Sequence, residues 1–172
     1  MQKIIGFIGC GNMAQAMINS LSKSGNVPTE NIIASNRTLP LKENSIEDLN
    51  IKITDDNIEV ASQSDFLILS VKPQIYKVVL NEIKDYIKKD GVVIGIGAGI
   101  SSEFLKEHLN KGTKYLKAMP NTPAMVGEGM TAISPGNRFS NEELDSIMEI
   151  FEKQEDFYEQ LINTDGDFFE LL

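Results

Sequence analysis

The chain has one cysteine, one histidine and too few basic residues for a nucleic-acid binder. With Cys10 alone no intrachain disulfide can form, which points to a reducing compartment and hence a cytoplasmic location. The sole histidine, His108, falls on an expected amphipathic helix and reads as a surface residue. No metal centre is expected. Lys and Arg number 16 against 25 Asp and Glu, a formal net charge of −9, so no basic face is expected to neutralise a phosphate backbone. The longest nearly apolar run, residues 66–71, falls far short of the roughly 20 residues that cross a bilayer. The opening Met1-Gln2-Lys3 leads straight into Ile4-Ile5-Gly6-Phe7-Ile8, which reads as a strand and not as a secretory leader. What is present is ordinary: 172 residues, 41% apolar and 24% charged, suit one globular domain and barely two.

Short apolar runs alternate with helical periodicity. Strands are expected over residues 4–8, 31–35, 66–71, 92–96 and 114–119. Helices are expected over 12–24, 55–62, from Pro73 through Ile87, 101–109 and 141–157. Gly25 stands where a helix C-terminus favours glycine, and Ser140 with Glu143 forms a capping box. Residues 38–50 are polar and ambiguous. Alternation of this kind implies parallel pairing through right-handed crossovers, so the expected fold is α/β: a doubly wound, mainly parallel, Rossmann-type sheet in a single domain.

The first strand runs into Gly9-Cys10-Gly11-Asn12-Met13-Ala14, a G-x-G-x-x-A fingerprint opening a helix. In such a turn the first glycine permits the bend, the second lets backbone approach a pyrophosphate, and the small third residue lets helix and strand pack closely. The helix N-terminus offers unpaired N–H groups and partial positive charge. At the end of the second strand NAD-binding domains usually place a carboxylate for the ribose 2′-hydroxyl. This chain has Ser35-Asn36-Arg37 instead. A guanidinium there suits a 2′-phosphate, with the neighbouring hydroxyl and amide as further donors, and the cofactor expected is NADP(H). Three more segments belong to the carboxyl ends of strands, where such sheets bind ligands. They are Ser70-Val71-Lys72-Pro73-Gln74, Gly97-Ala98-Gly99-Ile100-Ser101 and a rigid polar loop, Met119-Pro120-Asn121-Thr122-Pro123. Each also reads as a plain turn with a solvated lysine or turn-forming residues.

These segments, with the run extending to Ala124-Met125-Val126-Gly127-Glu128-Gly129, resemble pyrroline-5-carboxylate reductase over residues 1 to about 153. The resemblance implies NADPH-dependent reduction of the cyclic imine 1-pyrroline-5-carboxylate to proline. It implies pyrophosphate on Gly9 to Ala14, 2′-phosphate on Ser35, Asn36 and Arg37, and a ribose contact from Asn57. Val71, Lys72 and Pro73 would border the path between adenosine and nicotinamide, with Ala98 and Pro120 close to the nicotinamide. Asn121 and Thr122 are the nearest candidates for a substrate contact; no catalytic residue is assigned. Family members continue for roughly a hundred residues into a helical domain that dimerises and grips the substrate carboxylate. Residues 154–172 resemble none of it and read as a divergent tail, a possible stub of that domain. The resemblance therefore implies a homo-oligomer or a separate chain carrying the helical domain. The alternatives are a non-catalytic NADP(H)-binding module, and a 3-hydroxyacid or deazaflavin-linked reductase of the same fold.

Overall fold

The computed structural model describes residues 2–39, 46, 50–120, 131–137 and 139–151. β1 (Ile5–Ile8) leads into α1 (Asn12–Ser24), then β2 (Ile32–Ser35), β3 (Lys52–Thr54), α2 (Asn57–Gln63) and β4 (Phe66–Leu69). A 3-10 turn (Pro73–Ile75) precedes α3 (Tyr76–Ile83), followed by β5 (Val92–Gly95), α4 (Ser102–His108), β6 (Lys114–Pro120), β7 (Thr131–Pro135) and α5 (Asn141–Phe151). The strands form one sheet in the order β3-β2-β1-β4-β5-β6-β7, parallel except for the antiparallel β6–β7 pair. The chain order reverses beside β1, and the crevice between the carboxyl ends of β1 and β4 is where doubly wound sheets bind ligands.

Alternation along each strand feeds two cores. Ile5, Phe7, Ile32, Ala34, Phe66, Ile68, Val92, Ile94, Leu116 and Ala118 face one side, packed with Met17 and Ile18 of α1 and Ile147 and Phe151 of α5. Ile8, Ile33, Leu67, Leu69, Val93 and Tyr115 face the other, under Val60, Tyr76, Leu80, Ile83 and Leu105 of α2, α3 and α4. A sheet buried on both faces explains why its strands read as continuous apolar runs. Helix ends follow local chemistry. Gly25 closes α1 at φ 70°, Asp56 caps α2 by accepting from the N–H of Ile58 and Glu59, and the expected capping box is present. In that box the Glu143 N–H donates to Ser140 Oγ at 3.2 Å and the Ser140 N–H donates to Glu143 Oε2 at 2.9 Å.

Four expectations are corrected. Two strands, β3 and β7, were not foreseen, and both are edges of the sheet. Pro120 is not a loop residue: it ends β6, opposite Thr131 of β7, one residue beyond Met119, where the strand is expected to end. Of Ile75, Val78, Val79, Ile83 and Ile87, the apolar residues that suggest a helix here, Val79 and Ile83 are buried as expected, but Val78 is 63% exposed and Tyr76 is buried instead. His108 is half-buried, its ring stacked on Phe104 at 4.2 Å. Residues 152–157 of the expected last helix, and the tail beyond, lie outside the described residues.

Candidate functional site

The carboxyl ends of β1, β2, β4 and β5 are tied together by side chains whose polar atoms face one another across the loops. After β1 the chain turns at Gly9, whose φ is 91°. A Cβ there would lie 2.7 Å from Val71 Cγ1 and 2.9 Å from the Ser70 carbonyl oxygen, so only glycine fits. The Gly9 N–H donates to the Ser35 carbonyl at 3.0 Å, and the Ser70 hydroxyl lies against the carbonyls of Ile8 and Gly9. Ser70 thus pins the glycine loop to β4, although its segment was singled out for its lysine.

Gly11 differs in kind. Its φ is −83°, open to any residue, and nothing lies within 4 Å of where its Cβ would stand. It is the N-cap of α1, yet no side chain caps the helix and the first turn carries no acidic residue. The protein itself makes no demand for glycine at this position. The start of α1 is an uncapped, electropositive end beside open space, the arrangement an anion requires. The residues fit a pyrophosphate.

Cys10, expected in the same cradle, turns inward. Its thiol is buried in the core beneath α1, and burial pushes its pKa up from 9.0 to about 11. Its N–H donates to Asn36 Oδ1 at 3.3 Å and its carbonyl accepts from Gln15 Nε2 at 3.1 Å, so it shapes the loop through its backbone. A neutral buried thiol is a poor nucleophile. Cys10 is expected to react with a thiol reagent at pH 8 far more slowly in the native chain than in denaturant, and equal rates would contradict its burial. The folded-state pKa lies above the ordinary one, so this contribution to stability is intact below about pH 9 and is lost as pH rises towards about 11.

The Ser35-Asn36-Arg37 trio separates into a frame and an open group. Ser35 is fully buried and its hydroxyl donates to Asn57 Oδ1 at 2.7 Å. Asn36 accepts from Cys10 with Oδ1 and donates with Nδ2 to the Thr38 carbonyl at 2.8 Å. Both side chains, expected as donors to a phosphate, are committed to holding the loop. Arg37 is exposed and joins none of the ion pairs among the described residues, which are Lys52–Glu59, Lys88–Asp65 and Lys114–Glu143. It is the member of the trio free to meet an anion. Asn57, at the start of α2, accepts from Ser35 and donates through Nδ2 to Glu82 Oε2 at 2.9 Å.

On the other side of the crevice, Val71 is half-buried against Gly9, while Lys72 and Pro73 are exposed. Tyr76 does what sequence reasoning missed. Its buried hydroxyl donates to the Leu69 carbonyl and accepts from the Gly97 N–H at 2.8 Å, joining the ends of β4 and β5. Its ring lies 2.7 Å from where a Gly97 Cβ would stand, so Gly97 is reserved for the tyrosine and not for a ligand ring. Burial raises the phenol's pKa to about 12. Tyr76→Phe is expected to lower stability by about 1–2 kcal/mol, because it strands a buried N–H; an unchanged denaturation midpoint would contradict the bridge. Ala98 is exposed beside this turn and Pro120 half-buried at the end of β6. Asn121 and Thr122 lie outside the described residues.

Residues 4–99, from β1 through the turn after β5, match the family model described as NADP oxidoreductase, coenzyme F420-dependent. The chain belongs to this family. Within it, the chain is similar to the pyrroline-5-carboxylate reductase of Methanosarcina acetivorans, 38% identical over 147 residues, 86% of this chain and 54% of that protein. The pyrroline-5-carboxylate reductase structure from Coxiella burnetii superposes with a TM-score of 0.83 at 28% identity, covering 94% of this chain and 60% of that one. The Plasmodium falciparum pyrroline carboxylate reductase, solved with NADP bound, gives 0.80 at 27% identity, covering 92% and 58%. The chain spans about half the length of the curated relatives it matches. The Rossmann-type fold expected from the sequence is thus shared with the family.

Proposed function

We propose that the chain is the NADP(H)-binding half of a pyrroline-5-carboxylate reductase. The observation that carries the cofactor reading is the contrast between Gly9, which the fold requires, and Gly11, which only a ligand requires. Gly11 and the N–H groups opening α1, at Asn12, Met13 and Ala14, hold the pyrophosphate. Arg37 pairs with the 2′-phosphate while Ser35, Asn36 and Cys10 keep its loop in place. Asn57 stands at the adenosine ribose, and Val71, Lys72 and Pro73 border the path to the nicotinamide, beside Ala98 and Pro120. When bound, NADPH supplies a hydride to the carbon of the substrate's C=N bond, and the nitrogen keeps the proton of the iminium form. The chain's own contribution is to orient the ring and exclude alternatives, since holding two reactants in contact accounts for much of such a rate.

The reductase relatives support the imine substrate, with Asn121 and Thr122 the nearest candidates for contacting it. Residues 1–153 would form the cofactor domain, and residues 154–172 would be a divergent tail. A second reading is a non-catalytic NADP(H)-binding module, since the family model matches residues 4–99, the dinucleotide half. NADPH oxidation with 1-pyrroline-5-carboxylate over a range of protein concentrations separates the two. Turnover per chain that rises steeply with concentration supports a site assembled between chains. No turnover from protein that still binds NADPH supports the module.

A further inference from the structure

Glu82 is an exposed carboxylate on α3 that joins none of the ion pairs among the described residues. Its hydrogen-bond partner is the side-chain amide of Asn57, at 2.9 Å. That amide in turn receives the hydroxyl of Ser35 at 2.7 Å, and the carbonyl of Ser35 receives the Gly9 N–H at 3.0 Å. A line of hydrogen bonds therefore runs from α3 through the start of α2 and the end of β2 into the glycine loop.

The direction of the two side-chain bonds in that line depends on Glu82. An asparagine amide is nearly symmetric in shape, and either end could face a serine hydroxyl, which both donates and accepts. An ionised carboxylate accepts only. Glu82 therefore forces the NH2 group of Asn57 towards α3 and its oxygen towards Ser35, and Ser35 must then donate. Without Glu82 the amide can turn over, present its nitrogen to Ser35 and change what it offers at the mouth of the crevice.

We propose that Glu82 is a positioning residue of the dinucleotide site, acting through Asn57. The inference rests on the NADP(H) reading above, with Asn57 at the adenosine ribose on the side of its 3′-hydroxyl, which NADPH and NADH share. Glu82→Ala is therefore expected to weaken both cofactors by a similar factor, about fivefold, the worth of one hydrogen bond. Glu82→Gln keeps an acceptor oxygen for Asn57 but adds an NH2 donor, so it fixes the amide only in part and is expected to bind between the alanine variant and the parent.

The experiment titrates the full chain and both variants with NADPH and with NADH, and follows the Asn57 side-chain NH2 resonances by 15N–1H NMR. The expected result is loss in Glu82→Ala, partial rescue in Glu82→Gln, and an Asn57 NH2 pair displaced most in the alanine variant. A purely structural role would lower stability without moving that pair or sparing the glutamine variant. Unchanged affinity and resonances in Glu82→Ala overturn the proposal. So does tighter NADPH binding in both variants, which would make Glu82 a repelling charge and not a positioning group. If the parent chain binds neither cofactor, the site reading fails, while the Asn57 resonances still decide whether Glu82 sets the amide.

Discussion

Gly11→Val is expected to abolish measurable NADPH binding while leaving the chain folded. The backbone at Gly11, φ −83° and ψ −173°, is extended and open to valine, and its Cβ would stand in space that no atom of the protein occupies within 4 Å. The helix loses little, because glycine supplies no capping side chain either; the cost at an N-cap is about 1 kcal/mol or less. The valine methyl groups would fill the place where backbone must approach the pyrophosphate. Gly9→Ala is the informative contrast. There the added Cβ meets the Ser70 carbonyl at 2.9 Å in a left-handed turn, so the fold itself suffers. Circular dichroism and thermal melting of the two variants, set beside their NADPH titrations, separate a ligand's glycine from the fold's. Retained affinity in Gly11→Val would remove the pyrophosphate from this loop.

Arg37→Ala is expected to weaken NADPH by about 1–3 kcal/mol, some 5- to 150-fold, and to leave NADH nearly unchanged. The difference arises because Ser35 and Asn36 have already committed their polar atoms to Asn57, Cys10 and Thr38, leaving the guanidinium as the trio's free donor. Its exposure predicts that the preference shrinks as salt rises, since an exposed pair is screened. Equal losses for the two cofactors would mean that Arg37 does not meet the 2′-phosphate.

The parts of this fold that could be read from the sequence are those whose signal is local. β1, the glycine turn and α1 occupy one short stretch, and the buried strands at Phe66 and Val92 announce themselves as apolar runs because both faces of the sheet are covered. β3, Lys52-Ile53-Thr54, is three residues long at an edge and carries no such run. β7 is the opposite edge, with exposed Ala132 and a proline at its end, and it too carries no continuous apolar run. Tyr76 carries no apolar signal because of its polar tip, yet it is buried as deeply as any leucine here, while the more apolar Val78 stands 63% exposed. In the site, residue type and position were legible, but direction was not. Ser35, Asn36 and Cys10 stand at the cradle as expected, yet their polar atoms point into the frame. Asn57 has its partner Glu82 25 residues away on another helix, a separation at which sequence patterning carries no signal.

The central claim is that this chain carries a dinucleotide site built for NADPH. The most direct test is a calorimetric titration of the purified chain with NADPH and, separately, with NADH. One saturable site per chain that binds NADPH at least tenfold more tightly than NADH is the predicted result. No saturable binding, or equal affinity for both cofactors, would contradict it.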